Sequence, residues 1–422
     1  MEKEAKKTLL YEWHVTHGAN MANFGGYEMP LWYPSGVKNE HLTVLTNAGM
    51  FDTSHMAAVK IIGSDAYDLL QLCFTRDLNS CVGEKPLQPG KCVYGAFLNE
   101  AGEAIDDAII YQIEGGNYLS VVNAGMGEKI AAHLMSYKGS RDVEITDLAD
   151  KLGKLDVQGP KSAKLLMNIL KDPQGVFEKM FYFSFKGHFD AGASSAGEVR
   201  LTDGTPILLS RTGYTGEFGF EIFISPEHFI RLWEMISEAG KAYNLTCCGL
   251  AARDSLRGGA VLPLSHQDIG HWPFINNPWP FALPYNEDQT DFTKKFIGDD
   301  ALRNVSDPEL TYPFVGNDLR KVSVDDPAVV TDSEGREIGT VLTCVTDMGI
   351  GRHEGRIYSV ASPDKPDGFN HRGLCCGFIK VKTMLNFGQT VRIRDKRRKI
   401  DVTITEDIRP NRTARRPVRE MI

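Results

Sequence analysis

Ser210-Arg211-Thr212-Gly213-Tyr214-Thr215-Gly216-Glu217-Phe218-Gly219-Phe220-Glu221-Ile222-Phe223 is the stretch on which the reading of this chain turns. It follows the apolar run Ile207, Leu208 and Leu209 and contains Gly213, Gly216 and Gly219, a pattern that predicts two strands joined by a tight glycine turn. In the second strand Glu221 stands beside Phe220, Ile222 and Phe223. A carboxylate so placed has few water neighbours, and must either find donors or hold its proton more tightly. Two readings stay open here: a strand-end glutamate paired with an arginine, or a carboxylate kept for chemistry.

The 422 residues exceed what one core usually supports, so two or three domains are expected. With 42% hydrophobic and 24% charged residues and no 18-residue apolar run, the composition is that of a soluble globular protein and not of a membrane span. The start, Met-Glu-Lys-Glu-Ala-Lys-Lys, leads into Thr-Leu-Leu-Tyr without an apolar signal region, so a cytoplasmic location is expected. Net charge is −8, which argues against general nucleic-acid binding. The eight cysteines form no Cys-x-x-Cys pair and the histidines no His-Glu-x-x-His, so no metal site and no disulfide framework is expected. Basic residues collect near the end: Lys396 to Lys399, then Arg409, Arg412, Arg415, Arg416 and Arg419. Such a run reads as a solvated face, or as a surface for an acidic partner or a polyglutamate tail.

Outward from the opening stretch, residues up to about Asn47 are rich in Gly, Trp, Tyr and Pro, notably between Gly25 and Pro34, and read as an irregular loop with aromatic anchors. Val59 to Ile62 reads as a strand feeding a helix with Leu69, Leu70, Cys73 and Phe74 on one face. Cys92 to Ala124 reads as an antiparallel meander with turns at Asn99 to Glu103 and Glu114 to Asn117. Gln158-Gly159-Pro160 opens a helix striped by Leu165, Leu166, Ile169 and Leu170, and Ser225-Pro226 opens another with Phe229, Leu232, Trp233, Ile236 and Tyr243 on its face. The helix from Gly249 to Arg257 sets Arg253 and Arg257 one turn apart, either on a solvated face or as a clamp for a planar acceptor. Leu262 to Phe296 shows no periodicity and reads as a domain-linking loop; beyond Glu309, short strands at 337–345, 374–381, 389–394 and 399–405 predict an all-β C-terminal domain.

Within the meander, strand alternation puts Asp107 with Ile105, Ile109, Tyr111 and Ile113, and Asp106 with Ala104 and Ala108. One aspartate of the pair thus faces the apolar side. Asp107 there is either a strand-edge turn cap or a candidate acid/base and ligand anchor.

Several separated motifs carry a resemblance over nearly the whole chain. They are Gly26 to Pro30 with Tyr33 to Gly36, Phe51-Asp52-Thr53-Ser54-His55-Met56, Asn99 to Tyr111, Gln158 to Pro160, Ser210 to Ile222, Gly249 to Arg257, Phe296 to Gly298 and Ile338 to Val341. In this order they resemble the glycine cleavage T-protein (aminomethyltransferase) family. The resemblance implies an α+β, three-domain ring with antiparallel sheets packed by helices, a C-terminal β barrel-like domain, and tetrahydrofolate in a central channel. The divisions then expected are residues 1–50 together with 140–305 for interleaved folate-binding parts, 51–139 for the unit carrying Asp107, and 310–422 for the β domain.

By the same resemblance, Asp107 is the catalytic aspartate. Tyr94, Asn123, Tyr214 and Met56 line the channel, Glu221 grips the pterin amino group and ring nitrogen, and Arg253 lies beside it. A pterin presents adjacent donors that one carboxylate can accept in a fork. The implied reaction moves the methylene of an aminomethyl-lipoyl arm, carried by an H-protein-like partner, to tetrahydrofolate with release of ammonia. The chain departs from the family pattern at Tyr27, between His266 and Phe281, and near Asp325-Asp326, where the family has an arginine. Two alternatives therefore stand beside that reaction: tetrahydrofolate-dependent demethylation of a small methylated donor, and a non-enzymatic folate-binding role. The Lys-Gly-Cys-Tyr motif of the latter is absent.

Overall fold

The computed structural model describes residues 4–81, 85–276, 279–306, 308–324 and 328–422. Asn277 and the Asp325-Asp326 departure lie outside them.

Three sheets organise the molecule. The first is five-stranded, in the order Lys91–Leu98, Ala104–Glu114, Asn117–Val122, Ala57–Ile62 and Glu144–Asp147. Its first three strands are the expected meander, and all its pairings are antiparallel. Helices Ala66–Cys73 and Gly127–Lys138 cover one face, because Leu69, Leu70 and Cys73 from the one and Ile130 and Leu134 from the other repeat at helical spacing and bury against Val59, Ile61, Phe97 and Ile110. The opposite face is also covered. Ala58, Cys92, Tyr111, Leu119 and Val121 pack there against Leu208 and Phe223 of the second sheet.

The second sheet has the strand order Phe185–Lys186, Leu208–Ser210, Gly219–Ile224, Gly153–Gln158, Ala48–Asp52 and Leu245–Cys247. Phe220, Ile222 and Ile224 alternate with Gly219, Glu221 and Phe223, and the first set joins Leu155, Val157 and helix Phe229–Gly240 in the largest apolar cluster. The alternate set therefore faces the first sheet.

The third sheet is a closed barrel of Leu310–Val315, Leu374–Val381, Glu337–Asp347, Val329–Thr331, Thr390–Arg394 and Lys399–Ile404, filled by Phe314, Val330, Ile379, Ile393 and Ile404 among others. Closure leaves no edge strand exposed, and it confirms the all-β C-terminal expectation.

Several expectations are corrected. The segment before Asn47 is structured: strands Asn20–Phe24 and Tyr27–Trp32 form a hairpin, and Val37–Thr46 is a helix. Gly25 and Gly26, both at positive φ, make a two-residue turn whose twist matches the strands, so residues that read as loop composition are a hairpin signal. Ser210 to Phe223 holds no tight turn. Leu208–Ser210 and Gly219–Ile224 pair with Ser210 opposite Glu221 and are joined by eight residues, 211–218. Gly213 and Gly219 leave room for the Gln158 side chain, which a Cβ at either position would meet at 2.3 Å.

Leu262 to Phe296 is more than a linker. It contains two short 3-10 turns, and Ile269, Phe274, Ala282, Leu283 and Phe292 bury against Ala96 and Leu98 of the first sheet. The basic tail is not simply a solvated face either. Arg409 is fully buried between Asp347 of the barrel, 2.5 Å away, and Glu217 of the signature loop, 3.1 Å away. Arg253 and Arg257, one turn apart in helix Leu250–Gly259, both turn inward, and Arg257 is sealed between Asp268, Asp254 and Thr343.

Candidate active site

The two facing sheets place two polar clusters near one another, bridged by the signature loop. The first sits at the end of the meander. Strand Ala104–Glu114 is internal to the sheet, but Asp107, near its start, pairs only with Ala96, since pairing with Asn117–Val122 begins at Ala108. Alternation keeps Asp107 with Ile109, Tyr111 and Ile113, which face the second sheet. Both faces of the strand are apolar, however, and it is Asp106, on the helix-covered side, that is fully buried, whereas Asp107 is half-buried. Counting apolar residues on one face could not reveal this, because small alanines mark close packing as well as large side chains do.

Strand Asn117–Val122 stops just where Asp106 begins to overhang it. The Asn123 backbone N–H donates to Asp106 Oδ2 at 2.8 Å, and Asn123 Nδ2 donates to Asp106 Oδ1 at 2.8 Å and to Asp107 Oδ1 at 2.7 Å. The Tyr94 hydroxyl donates to Asp107 Oδ2 at 2.9 Å. Burial, reinforced by the Asp106 charge, pushes the Asp107 carboxyl up to about 6. Burial and the Asp107 carboxylate hold the Tyr94 hydroxyl well above its ordinary value, so it is a donor and not a base.

The second cluster lies on the inward face of the second sheet. Glu221 is buried, and its partner is Lys154, not an arginine: Lys154 Nζ donates to Glu221 Oε1 at 2.6 Å. Thr212 Oγ1 donates to Glu221 Oε2, and the Tyr111 hydroxyl reaches the same oxygen at 3.4 Å. Lys154 also donates to Asp156 Oδ1 at 3.0 Å and to Thr53 Oγ1 at 3.2 Å. Arg253 Nη1 donates to Asp156 Oδ2 at 2.8 Å, and the pair of cations holds the Asp156 carboxyl down at about 2 in spite of its burial. Two cations and two carboxylates thus close a buried quartet, the arrangement in which buried charge is tolerable.

Tyr214 bridges the clusters. The Arg253 guanidinium lies over its ring at 5.0 Å, its hydroxyl donates to Pro263 O, and it is near enough to Asp107 for that charge to raise its pKa alongside burial. Met56 is half-buried against the apolar layer between the sheets. The expected residues Asp107, Tyr94, Asn123, Tyr214, Arg253 and Glu221 are therefore brought into one contiguous region, with Met56 at its apolar side.

Sequence reasoning missed Lys154 and Asp156. A signal was present: in Gly153–Gln158 the charged residues alternate with Leu155 and Val157, a period-two pattern that sets two opposite charges on one face of a buried strand. It also missed Ser265, whose hydroxyl donates to Asp106 Oδ1 at 2.9 Å, and His266, whose Nε2 lies 3.4 Å from the same oxygen. His55, beside Phe24 and Tyr27, is buried with Nδ1 unpartnered among the described residues, and burial lowers it to about 4. Among the described residues no cluster of His, Cys, Asp and Glu could hold a metal ion, and all eight cysteines are free thiols. No helix there is long and apolar enough to cross a membrane.

The GCVT N-terminal domain family matches residues 10–272, more than half of the chain. The chain is 35% identical over 339 residues to an aminomethyltransferase of Caldanaerobacter subterraneus subsp. tengcongensis, covering 80% of this chain and 83% of that protein. It belongs to the glycine cleavage T-protein family. Aminomethyltransferases of Bacillus pumilus and Desulfitobacterium hafniense agree, at 34% and 33% identity over 80% of this chain and 86% and 85% of theirs. The crystal structure of glycine cleavage system aminomethyltransferase T from Bartonella henselae superposes with a TM-score of 0.73, covering 95% of this chain and 96% of that one at 24% identity, so the T-protein fold is shared throughout. As the resemblance of its motifs implied, the chain is a T-protein family member of α+β architecture with a C-terminal barrel.

Proposed function

We propose that this chain is an aminomethyltransferase that moves the methylene of an aminomethyl-lipoyl arm, carried by an H-protein-like partner, to tetrahydrofolate and releases ammonia. The observation that carries this reading is the pairing of a donor-ringed carboxylate at Glu221 with a half-buried Asp107 of raised pKa, the two bridged by Tyr214.

In this reading Glu221 accepts the adjacent pterin donors. Each carboxylate oxygen has about two acceptor positions, and Lys154 takes only one of those on Oε1. Lys154 and Thr212 fix the carboxylate before tetrahydrofolate arrives, and Tyr214 and Arg253 offer a ring and a cation to the same ligand. Asp107 then acts where a tetrahydrofolate nitrogen attacks the electrophilic methylene. At neutral pH a carboxyl of pKa about 6 is ionised, yet basic enough to take the proton that the nitrogen sheds. Its contribution as base or as electrostatic stabiliser is on the order of 10²–10⁴-fold. Asn123 and Tyr94 keep it aimed.

The segment from His266 to Phe281, which departs from the family pattern and whose first residue, like Ser265 before it, leans on Asp106, favours one second reading: a small methylated donor in place of the lipoyl carrier. The deciding experiment supplies tetrahydrofolate with aminomethylated H-protein and follows methylenetetrahydrofolate and ammonia together. Formation of both supports the first reading. Binding of tetrahydrofolate with neither product overturns it and moves the search to small methylated donors.

A further inference from the structure

Asp106 and Asp107 put two carboxylates side by side where water is scarce, and such a pair holds a proton unless a cation stands near it. The groups facing the pair come from four elements. Lys91–Leu98 brings Tyr94, Asn123 follows Asn117–Val122, the signature loop brings Tyr214, and the loop after helix Leu250–Gly259 brings Ser265 and His266. Tyr94, Tyr214, Asn123 and Ser265 are neutral. Lys129, on helix Gly127–Lys138, acts on His266 by its charge and, among the described residues, forms no ion pair with either carboxylate. Among the described residues, the cationic side chain that reaches the pair is His266, with Nε2 at 3.4 Å from Asp106 Oδ1 and a side chain 45% exposed. Its backbone is at φ 65°, a conformation that turns this one residue out of the line of its loop.

We propose that His266 is a positioning residue for turnover: as an imidazolium it is the counter-charge of the Asp106 and Asp107 pair, and through Asp106 and the Asn123 amide it keeps Asp107 ionised and aimed at the reacting atoms. Asn123 carries the connection, because its Nδ2 donates to both carboxylates at once. His266 is itself held above the ordinary histidine value, first by its bond to Asp106 and then by the Asp106 and Asp107 charges, against desolvation and Lys129. The sign is the same from both sides: each group favours the other's charged form. Falling pH protonates Asp107, and the imidazolium delays that step. Because half of the imidazole is in water, the delay is modest, about half a pH unit to one unit.

The role assumes that Asp107 serves the transfer, so the test includes a measurement independent of turnover. With ¹³Cγ-labelled aspartate, the carboxyl resonances that Asp106→Asn and Asp107→Asn assign are titrated in the full chain and in His266→Gln, which keeps a hydrogen-bonding side chain and loses the charge. The Asp107 titration is expected to move up by about half a unit to one unit in His266→Gln and to return in His266→Lys. In turnover, the acid limb of kcat moves the same way and the KM for tetrahydrofolate stays within twofold. An unmoved titration overturns the proposal, whatever the rates. A moved titration in a protein that turns over no donor retains the counter-charge and instead overturns the proposed function.

Discussion

Lys154 Nζ lies 2.6 Å from Glu221 Oε1, inside a sheet face where neither side chain meets bulk water. The carboxylate that the family resemblance assigns to the pterin is therefore held by a cation of this chain before any ligand arrives. Lys154 spends its remaining donors on Asp156 and Thr53, so it ties strand Gly219–Ile224 to the strand that anchors Arg253.

Replacing Lys154 by Met is expected to weaken tetrahydrofolate binding at least tenfold by calorimetry. Without its cation, Glu221 would keep only the Thr212 and Tyr111 hydroxyls as partners, both on Oε2, and Oε1 would no longer be held in place as one arm of an acceptor fork. The same change is expected to lower stability by roughly 3–5 kcal/mol, because it leaves buried Glu221 without its cation and takes from Asp156 one of its two. Affinity equal to that of the unmodified protein would separate Lys154 from recognition.

Asp107→Asn is expected to keep tetrahydrofolate affinity and to lower kcat by about 10²–10⁴-fold. In the unmodified protein, activity should rise with pH through a midpoint near 6, since the working form is the carboxylate and its pKa is raised to about 6. A rate profile flat between pH 5 and 7 (roughly one unit to either side of that midpoint), or a variant with undiminished turnover, would remove Asp107 from the mechanism.

Much of this architecture was legible, and the misses have definite causes. Cys92 to Ala124 could be read because each strand is long enough for its alternation to show between polar turns, and helix Phe229–Gly240 because Phe229, Leu232, Trp233 and Ile236 repeat on one face. The hairpin at Gly25-Gly26 was obscured by Pro30 and Pro34, which weaken a strand reading although Pro30 lies within Tyr27–Trp32. Asp107, as one of a pair, and Glu221 stood out as carboxylates among apolar residues. Their partners did not, because Lys154 and Asn123 reach them across 67 and 16 positions and His266 reaches the neighbouring Asp106 across 160, and sequence spacing carries no information about such contacts.

Arg409→Met is expected to destabilise the fold by roughly 3–5 kcal/mol, read from guanidinium unfolding, because it leaves Asp347 and Glu217 buried without their common cation. This one side chain also donates to Leu256 O and Thr215 O, so it joins the barrel, the Leu250–Gly259 helix and the signature loop. A loss below about 1 kcal/mol, the usual worth of an exposed pair, would mean that the tail is not a latch.

Asp156 sets a pH dependence of stability whose sign can be stated. Its folded pKa is lowered from 3.8 to about 2 by Lys154 and Arg253, so its contribution is fully present above the unfolded value near 4 and is lost as pH falls through about 2. The difference of about two units corresponds to roughly 2 kcal/mol. Asp347, held low by Arg409 and His41, acts in the same direction, whereas burial raises Glu217 and Asp268 and makes them act in the opposite one. Comparison with Asp156→Asn isolates the single group. Between about pH 5 and pH 3 the unmodified protein should lose more unfolding free energy than the variant, by up to about 1 kcal/mol, since only part of the window is crossed. Parallel curves would show that Asp156 titrates alike in the folded and unfolded chains, and that the quartet around Glu221 is not held by charge.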